Sequence, residues 1–152
     1  MTFVNDPTSP APPGALQLTT DATTTAKAQY LHAANTPLSS VTRLSYYTKQ
    51  VSGPPVADPS YQLITCLTGA PTATTCPGFT TFVFEPYQNL SNNGNPGIVP
   101  NVWQKWDVAN GLFWSTRSVV CSNGAIVGTS GGPRMSGSSW NFDGVPRLTV
   151  TR

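Results

Sequence analysis

Residues 79–85, FTTFVFE, are the stretch that decides the fold, because they place Phe82 and Phe84 on the same side of an extended chain. Apolar side chains at every second position are typical of a β-strand with one buried face. Pro86 follows at once and ends the strand, since proline has no backbone N–H to donate to a ladder. The stretch therefore predicts a sheet whose buried face carries aromatic side chains.

Similar alternation recurs on both sides of this strand. It predicts further strands at residues 16–19, 26–32, 41–51, 61–67, 102–108, 112–120, 125–129 and 145–151. An amphipathic helix is the competing interpretation for residues 26–32. Asn110-Gly111 is a favoured hairpin turn, so we expect the strands that flank it to pair. About eight to ten strands without long helices predict an all-β fold, a single-domain antiparallel β-sandwich of the jelly-roll type.

The composition supports the same fold class. With 15 Pro and 13 Gly in 152 residues, long helices are implausible, and the length suits one domain. Residues 1–14 contain four prolines and predict an extended Pro-rich leader, which leaves residues 15–152 for the sandwich. Only 9% of the residues are charged, whereas about a quarter is usual. A folded chain with so little charge suggests an extracellular or cell-surface location.

Several partners and cofactors are disfavoured. A net charge of +2 with no Lys/Arg cluster predicts no nucleic-acid binding. The chain has no run of 18 apolar residues, so no membrane span is predicted. No C-x-x-C pair exists and His32 is the only histidine, which disfavours zinc. Calcium remains open, because Asn141, Asp143 and Asp6 could supply oxygen ligands, although the D-x-D-x-D spacing is absent.

The three cysteines suggest one disulfide. Cys66 and Cys76 flank a segment rich in Thr, Pro and Gly, so a bond between them would close a loop between two strands. In the loop-entropy description such a bond stabilises a fold by roughly 2–3 kcal/mol. Cys121 is then left as a free thiol.

Residues 89–100, NLSNNGNPGIVP, form the most turn-rich segment and predict an exposed loop. Asn89-Leu90-Ser91 within it has the form of a glycosylation acceptor, which matters only in a eukaryotic host.

Six short motifs together resemble a known kind of module. They are Gly14–Leu18, Pro37–Tyr46, Gly78–Pro86, Trp103–Asp107, Trp114 and Phe142–Val145. In this order they resemble uncharacterised modules of secreted bacterial surface proteins, which look like jelly-roll or concanavalin-like sandwiches. The resemblance covers nearly the whole chain and departs between residues 118 and 139, where this sequence is shorter. It implies a sandwich fold and an extracellular location, and it implies no established reaction.

Aromatic residues crowd the second half of the chain and are the strongest functional lead. Their flat faces suit stacking on sugar rings, although a packed core is the competing interpretation. Trp103 and Trp106 fall on opposite faces of a regular strand, so one of them should be exposed or lie in a groove. Asp107 and Arg117 could form a polar rim, or merely a surface ion pair. The candidate ligand-binding residues are Trp106, Trp114, Tyr87, Asp107, Gln104, Asn110 and Arg117.

An enzyme is not expected. Glu85 and Asp107 are the only plausible carboxylate pair for glycoside hydrolysis, and His32 lacks a recognisable nucleophile. The sequence predicts a non-catalytic extracellular binding module, carbohydrate-binding or adhesive, whose partner is a glycan or a surface protein. The alternative is a structural subunit or decoration protein of an extracellular filament, surface layer or virus-like shell. Low charge, a terminal strand and a Pro-rich leader would then favour self-association.

Overall fold

The computed structural model describes residues 1–32 except 13, 22 and 24, residues 41–66 and 79–120, and three short strands beyond them. All regular structure in these residues consists of β-strands and short 3₁₀ helices, and the paired strands are antiparallel. The predicted all-β class is therefore confirmed. Eleven strands occur in the described residues, one more than the upper end of the predicted range. The chain forms two compact units, Met1–His32 and Ala33–Arg152.

The first unit contains one antiparallel pair of strands. Strand β1 (Thr2–Val4) pairs with β2 (Ala15–Gln17), so the Pro-rich leader is one arm of this pair. Gly14 is needed at the bend, because a Cβ there would collide with the carbonyl oxygen of Val4. Residues 26–32 are neither strand nor helix, so both predictions for them are wrong. Their two alanines offer little apolar area to bury, and Leu31 stays exposed.

The described residues of the second unit form three separate sheets. The strands of its five-stranded sheet lie in the order β10 (Met135–Ser136), β7 (Leu112–Ser115), β5 (Phe79–Phe84), β4 (Tyr61–Cys66) and β11 (Thr149–Val150). The remaining strands form two pairs, β3 (Ser45–Thr48) with β6 (Gln104–Asp107) and β8 (Val119–Val120) with β9 (Ile126–Val127).

The Asn110-Gly111 turn does not make a hairpin. Strand β6 pairs with β3, and β7 pairs with β5 and β10, so the two strands that flank the turn belong to different sheets. The predicted pairing across the turn is wrong. Gly111 is instead a close-approach residue, because a Cβ at this position would collide with the ring of Phe84. The turn therefore carries the chain from one sheet to the other across the core.

The core lies on one face of β5 and is mainly aromatic. Phe84 is fully buried and contacts three rings, with centroids 6.2 Å away at Tyr46, 6.4 Å at Trp106 and 6.0 Å at Phe113. The tilted and edge-on arrangements suit the quadrupoles of the rings. Tyr46 and Trp106 are a registered pair of β3 and β6, so Phe84 links the β3–β6 ribbon to the five-stranded sheet.

Two asparagine side chains hold the turn between β6 and β7 at both ends. The Asn92 amide accepts from the N–H of Asp107 at 2.8 Å and donates to its carbonyl at 2.9 Å. The Asn89 amide does the same at Leu112, accepting at 2.6 Å and donating at 3.1 Å. Each amide thus makes the two backbone hydrogen bonds that a residue of a neighbouring strand would otherwise make. We call Asn89 and Asn92 the asparagine clamp.

The clamp changes the interpretation of residues 89–100. Asn89 is only 4% exposed, and its amide also donates to the carbonyl of Glu85 at 2.9 Å. A glycan attached to this nitrogen would require the clamp to open, so the glycosylation sequence is not accessible in the folded state. The loop was predicted to be exposed, yet its first residue is a buried structural element.

We expect Asn89→Ala to lower the free energy of unfolding by about 3 kcal/mol, because backbone groups of Glu85 and Leu112 lose their hydrogen-bond partner in a partly buried place. Urea denaturation followed by tryptophan fluorescence measures this change. Asn93→Gly is the matched control: Asn93 is exposed and has a φ of 52°, which glycine accepts, so its effect should stay below about 0.5 kcal/mol. Equal stability of Asn89→Ala and the wild type would contradict the clamp.

Candidate functional site

Two of the predicted ligand-binding residues are buried. Trp106 has no exposed surface, and its Nε1 donates to Thr48 Oγ1 at 2.8 Å. Gln104 is also buried; its Nε2 donates to the carbonyl of Gly97 at 2.6 Å, and its Oε1 accepts from the N–H of Val99 at 2.7 Å. A ligand could reach neither side chain, so the prediction is wrong at both positions. Side chains alternate along β6, and the face with Gln104 and Trp106 is the inner one.

The polar rim predicted from Asp107 and Arg117 does not form. Asp107 Oδ2 accepts from Asn110 Nδ2 at 2.6 Å, and among the described residues no salt bridge joins it to Arg117. Strands β6 and β7 lie in different sheets, which removes the reason for expecting a pair. Arg117 is exposed, and its carbonyl accepts a hydrogen bond from the hydroxyl of Ser115.

Tyr87 and Trp114, two more of the predicted residues, do come together. Both donate to the same oxygen of Glu85: Trp114 Nε1 at 2.8 Å and the Tyr87 hydroxyl at 3.3 Å from Oε2. Gln88 Nε2 also donates to this oxygen at 2.8 Å and lies 2.6 Å from the Tyr87 hydroxyl. All four side chains are half-buried. We call Glu85, Tyr87, Gln88 and Trp114 the Glu85 cluster.

The strand geometry explains why this cluster forms. Val83 is opposite Trp114 in the β5–β7 register, and Glu85 lies two residues beyond Val83, so all three point away from the aromatic core. Pro86 then starts a 3₁₀ turn, Pro86–Gln88, in which the N–H of Gln88 donates to the Glu85 carbonyl at 3.0 Å. The turn brings Tyr87 and Gln88 back over the carboxylate.

The cluster offers two kinds of contact to a ligand. Trp114 and Tyr87 present partly exposed rings, which can stack on an apolar surface. Glu85 Oε2 is occupied by three donors, whereas among the described residues nothing donates to Oε1. A carboxylate oxygen in this state accepts a hydroxyl donor well. The combination suits a ligand with an apolar face and hydroxyl groups at its edge.

The carboxylate of Asp58 is buried and is linked to the core through Thr48. Thr48 Oγ1, which accepts from Trp106, donates to Asp58 Oδ2 at 2.8 Å. Asp58 is 4% exposed, and its Oδ1 is buried without a hydrogen-bond partner. Burial raises the pKa of the Asp58 carboxyl to about 6, although the hydrogen bond from Thr48 lowers it in part. Nothing in the sequence signals Asp58 or Thr48, because neither belongs to a recognisable motif.

No family model, curated protein or solved structure matches this chain. The resemblance to bacterial surface modules therefore stays a prediction. In the part of the chain that the structure describes, no group of three His, Cys, Asp or Glu side chains could hold a metal ion, and no helix is long and apolar enough to cross a membrane. Cys76, Cys121, Asn141 and Asp143 lie outside the described residues, so the Cys66–Cys76 bond and the calcium ligands stay predictions.

We expect Asp58→Asn to change the pH dependence of stability. The pKa of Asp58 is higher in the folded chain than its ordinary value of 3.8, so the folded state binds the proton more tightly. The resulting stabilisation is complete below about pH 4 and is lost as the pH rises to about 6. Asparagine resembles the protonated acid and does not titrate, so the variant should be more stable than the wild type by about 3 kcal/mol at pH 7.5.

At pH 4 the same two proteins should differ by less than about 0.5 kcal/mol. Urea denaturation at several pH values measures the difference, and Asp21→Asn is the control because Asp21 is fully exposed. A difference between wild type and Asp58→Asn that does not change between pH 4 and pH 7.5 would contradict the assignment.

Proposed function

We propose that this protein is a non-catalytic extracellular or cell-surface module that binds carbohydrate at the Glu85 cluster. The observation that carries the proposal is the convergence of Trp114 and Tyr87 on one carboxylate oxygen of Glu85, with both rings still partly exposed. Rings held in this way lose little side-chain entropy when a ligand binds, which favours affinity. The low charge of the chain and the shared core of the five-stranded sheet and the β3–β6 pair also support a jelly-roll sandwich at the cell surface.

The chemistry of the cluster favours binding over hydrolysis. A glycosidase needs two carboxyl groups on opposite sides of the scissile bond. Glu85 Oε2 already accepts three hydrogen bonds, so this oxygen is held in place as an acceptor. The other carboxylate considered from the sequence, Asp107, belongs to the β3–β6 ribbon and is bonded to Asn110. The proposal therefore assigns no reaction to this chain.

We expect Trp114→Ala to weaken binding of a neutral oligosaccharide by at least about 10-fold, because the stacking surface is lost. Tyr87→Phe keeps the ring and should cost only about threefold. Isothermal titration calorimetry against neutral glucan, xylan, mannan and galactan oligosaccharides identifies the ligand and measures both changes. Trp103→Ala is the matched control: Trp103 is also half-buried but precedes β6 in another sheet and does not belong to the Glu85 cluster, so this variant should keep full affinity. Binding that survives in Trp114→Ala would sink the proposal.

A structural subunit is the second candidate, and one observation favours it. The Met1–His32 unit exposes large apolar side chains, with Phe3 78% and Leu31 71% exposed. Isolated exposed apolar residues are ordinary, but two such residues in one small unit provide a contact for a neighbouring copy. In this candidate function the N-terminal unit of one copy docks on the next copy and so builds a filament or layer.

The structural candidate predicts self-association that depends on the N-terminal unit. We expect the wild type to sediment as higher oligomers at rising concentration and the Phe3→Ser/Leu31→Ser double variant to remain monomeric, because the apolar contact is lost. Sedimentation velocity measures this. Val56→Ser is the control, because Val56 is 58% exposed and belongs to the other unit. A wild-type chain that stays monomeric at high concentration would remove this candidate.

A further inference from the structure

The carboxylate of Glu85 has only neutral partners. The indole N–H of Trp114, the hydroxyl of Tyr87 and the side-chain amide of Gln88 all donate to Oε2. Among the residues that the structure describes, no lysine or arginine pairs with this carboxylate. A half-buried charge is stabilised by an opposite charge, because its own hydration is incomplete. The Glu85 cluster therefore attracts a cation that the described part of the chain does not supply.

The second oxygen of this carboxylate is open to a ligand. No described residue donates to Glu85 Oε1. In the described residues, Asp58 Oδ1 is the one side-chain oxygen that is both buried and without a partner, so Glu85 Oε1 is reached by solvent. A donor group of a ligand can take the place of that solvent.

One open oxygen selects the kind of cation. Oε2 already accepts three hydrogen bonds, which fills its acceptor capacity. A guanidinium group pairs best with both oxygens of a carboxylate at once, whereas an ammonium group is a compact point charge that needs only one. The arrangement at Glu85 therefore favours a primary ammonium over a guanidinium.

The two rings restrict the ligand further. Trp114 and Tyr87 each direct a polar ring atom to Glu85 Oε2, and Gln88 Nε2 lies 2.6 Å from the Tyr87 hydroxyl. The apolar surface of the cluster and its charge are thus held at a fixed separation. A ligand whose ammonium is attached directly to a rigid ring loses little entropy on matching that separation. A lysine side chain carries its ammonium on a flexible four-carbon stem and loses more.

We infer that the Glu85 cluster selects amino sugars, which carry a protonated primary amine on the sugar ring. The ammonium group pairs with Glu85 Oε1, and an apolar face of the sugar stacks on Trp114 or Tyr87. The inference rests on the proposed function, because it names the sugar class for the same site. The whole chain has a net charge of +2, so a cationic sugar gains nothing from the overall charge and depends on this local carboxylate.

Three oligosaccharides with one backbone test the inference. The β-1,4-linked hexamers of glucosamine, N-acetylglucosamine and glucose differ only in the amino, acetamido or hydroxyl group at C2. We expect the glucosamine hexamer to bind at least about 10-fold more tightly than the other two in calorimetry at low salt and about pH 6. Its advantage should shrink as salt is added, because ions screen the pairing with Glu85. Galactosamine and galactose form a second matched pair with another stereochemistry.

The variants separate the charge from the stacking surface. Glu85→Gln keeps an acceptor for the three donors and removes the charge, so it should weaken binding of the glucosamine hexamer by at least about 10-fold and binding of the glucose hexamer by less than about threefold. Trp114→Ala should weaken both. Asp107→Asn is the matched control: it removes the same charge from another half-buried carboxylate, which is bonded to Asn110, and should keep full affinity. Urea denaturation verifies that each variant is folded.

Each contrary result has a distinct meaning. Equal binding of amino and neutral sugars, or binding of neutral sugars alone, would overturn the inference and leave the proposed function standing. Equal loss of affinity in Glu85→Gln and Asp107→Asn would show charge attraction without a site. Tighter binding of pentalysine than of the glucosamine hexamer would assign the cluster to a basic peptide. Binding of no sugar in either set or in the neutral panel would overturn the inference together with the proposed function.

Discussion

Burial of Phe84 is the constraint on which the rest of the described structure depends. Its ring has no exposed surface and contacts rings from β3, β6 and β7. Because side chains alternate along a strand, this burial turns Val83 and Glu85 to the opposite face of β5. It also requires Gly111 at the close approach of the turn between β6 and β7, where a Cβ would collide with the ring. One buried ring thus orients the Glu85 cluster and restricts the path of the chain between two sheets.

Amide side chains replace regular structure where the strands are short. Asn89 and Asn92 each bond to both backbone groups of one strand residue, and Gln104 holds the segment around Gly97 and Val99 in a similar way. A buried backbone group without a partner is costly, so these contacts stabilise strand ends that no neighbouring strand covers. The abundance of Asn and Gln therefore has a structural role as well as a solubilising one.

The positions of the aromatic residues along and beside β6 and β7 determine which rings are available to a ligand. Trp106 falls on the inner face of β6, and Trp103, which directly precedes the strand, is half-buried. Trp114 is on the face of β7 opposite to Phe113, so the core takes Phe113 and leaves Trp114 half-buried beside Glu85.

The sequence by itself determined the all-β class, most strand positions and the alternation of side chains along β6, because alternation and turn residues are local properties of the chain. Only the tertiary structure decided which face is inner, since that depends on which sheets pack together. The hairpin predicted at Asn110-Gly111 does not form because β6 and β7 pair with strands of different sheets. Trp106 cannot contact a ligand because the sheet packing buries its face of β6. Trp114, Tyr87, Gln88 and Glu85 meet through a register between β5 and β7 and a turn after Pro86, and neither local propensity nor spacing specifies that register.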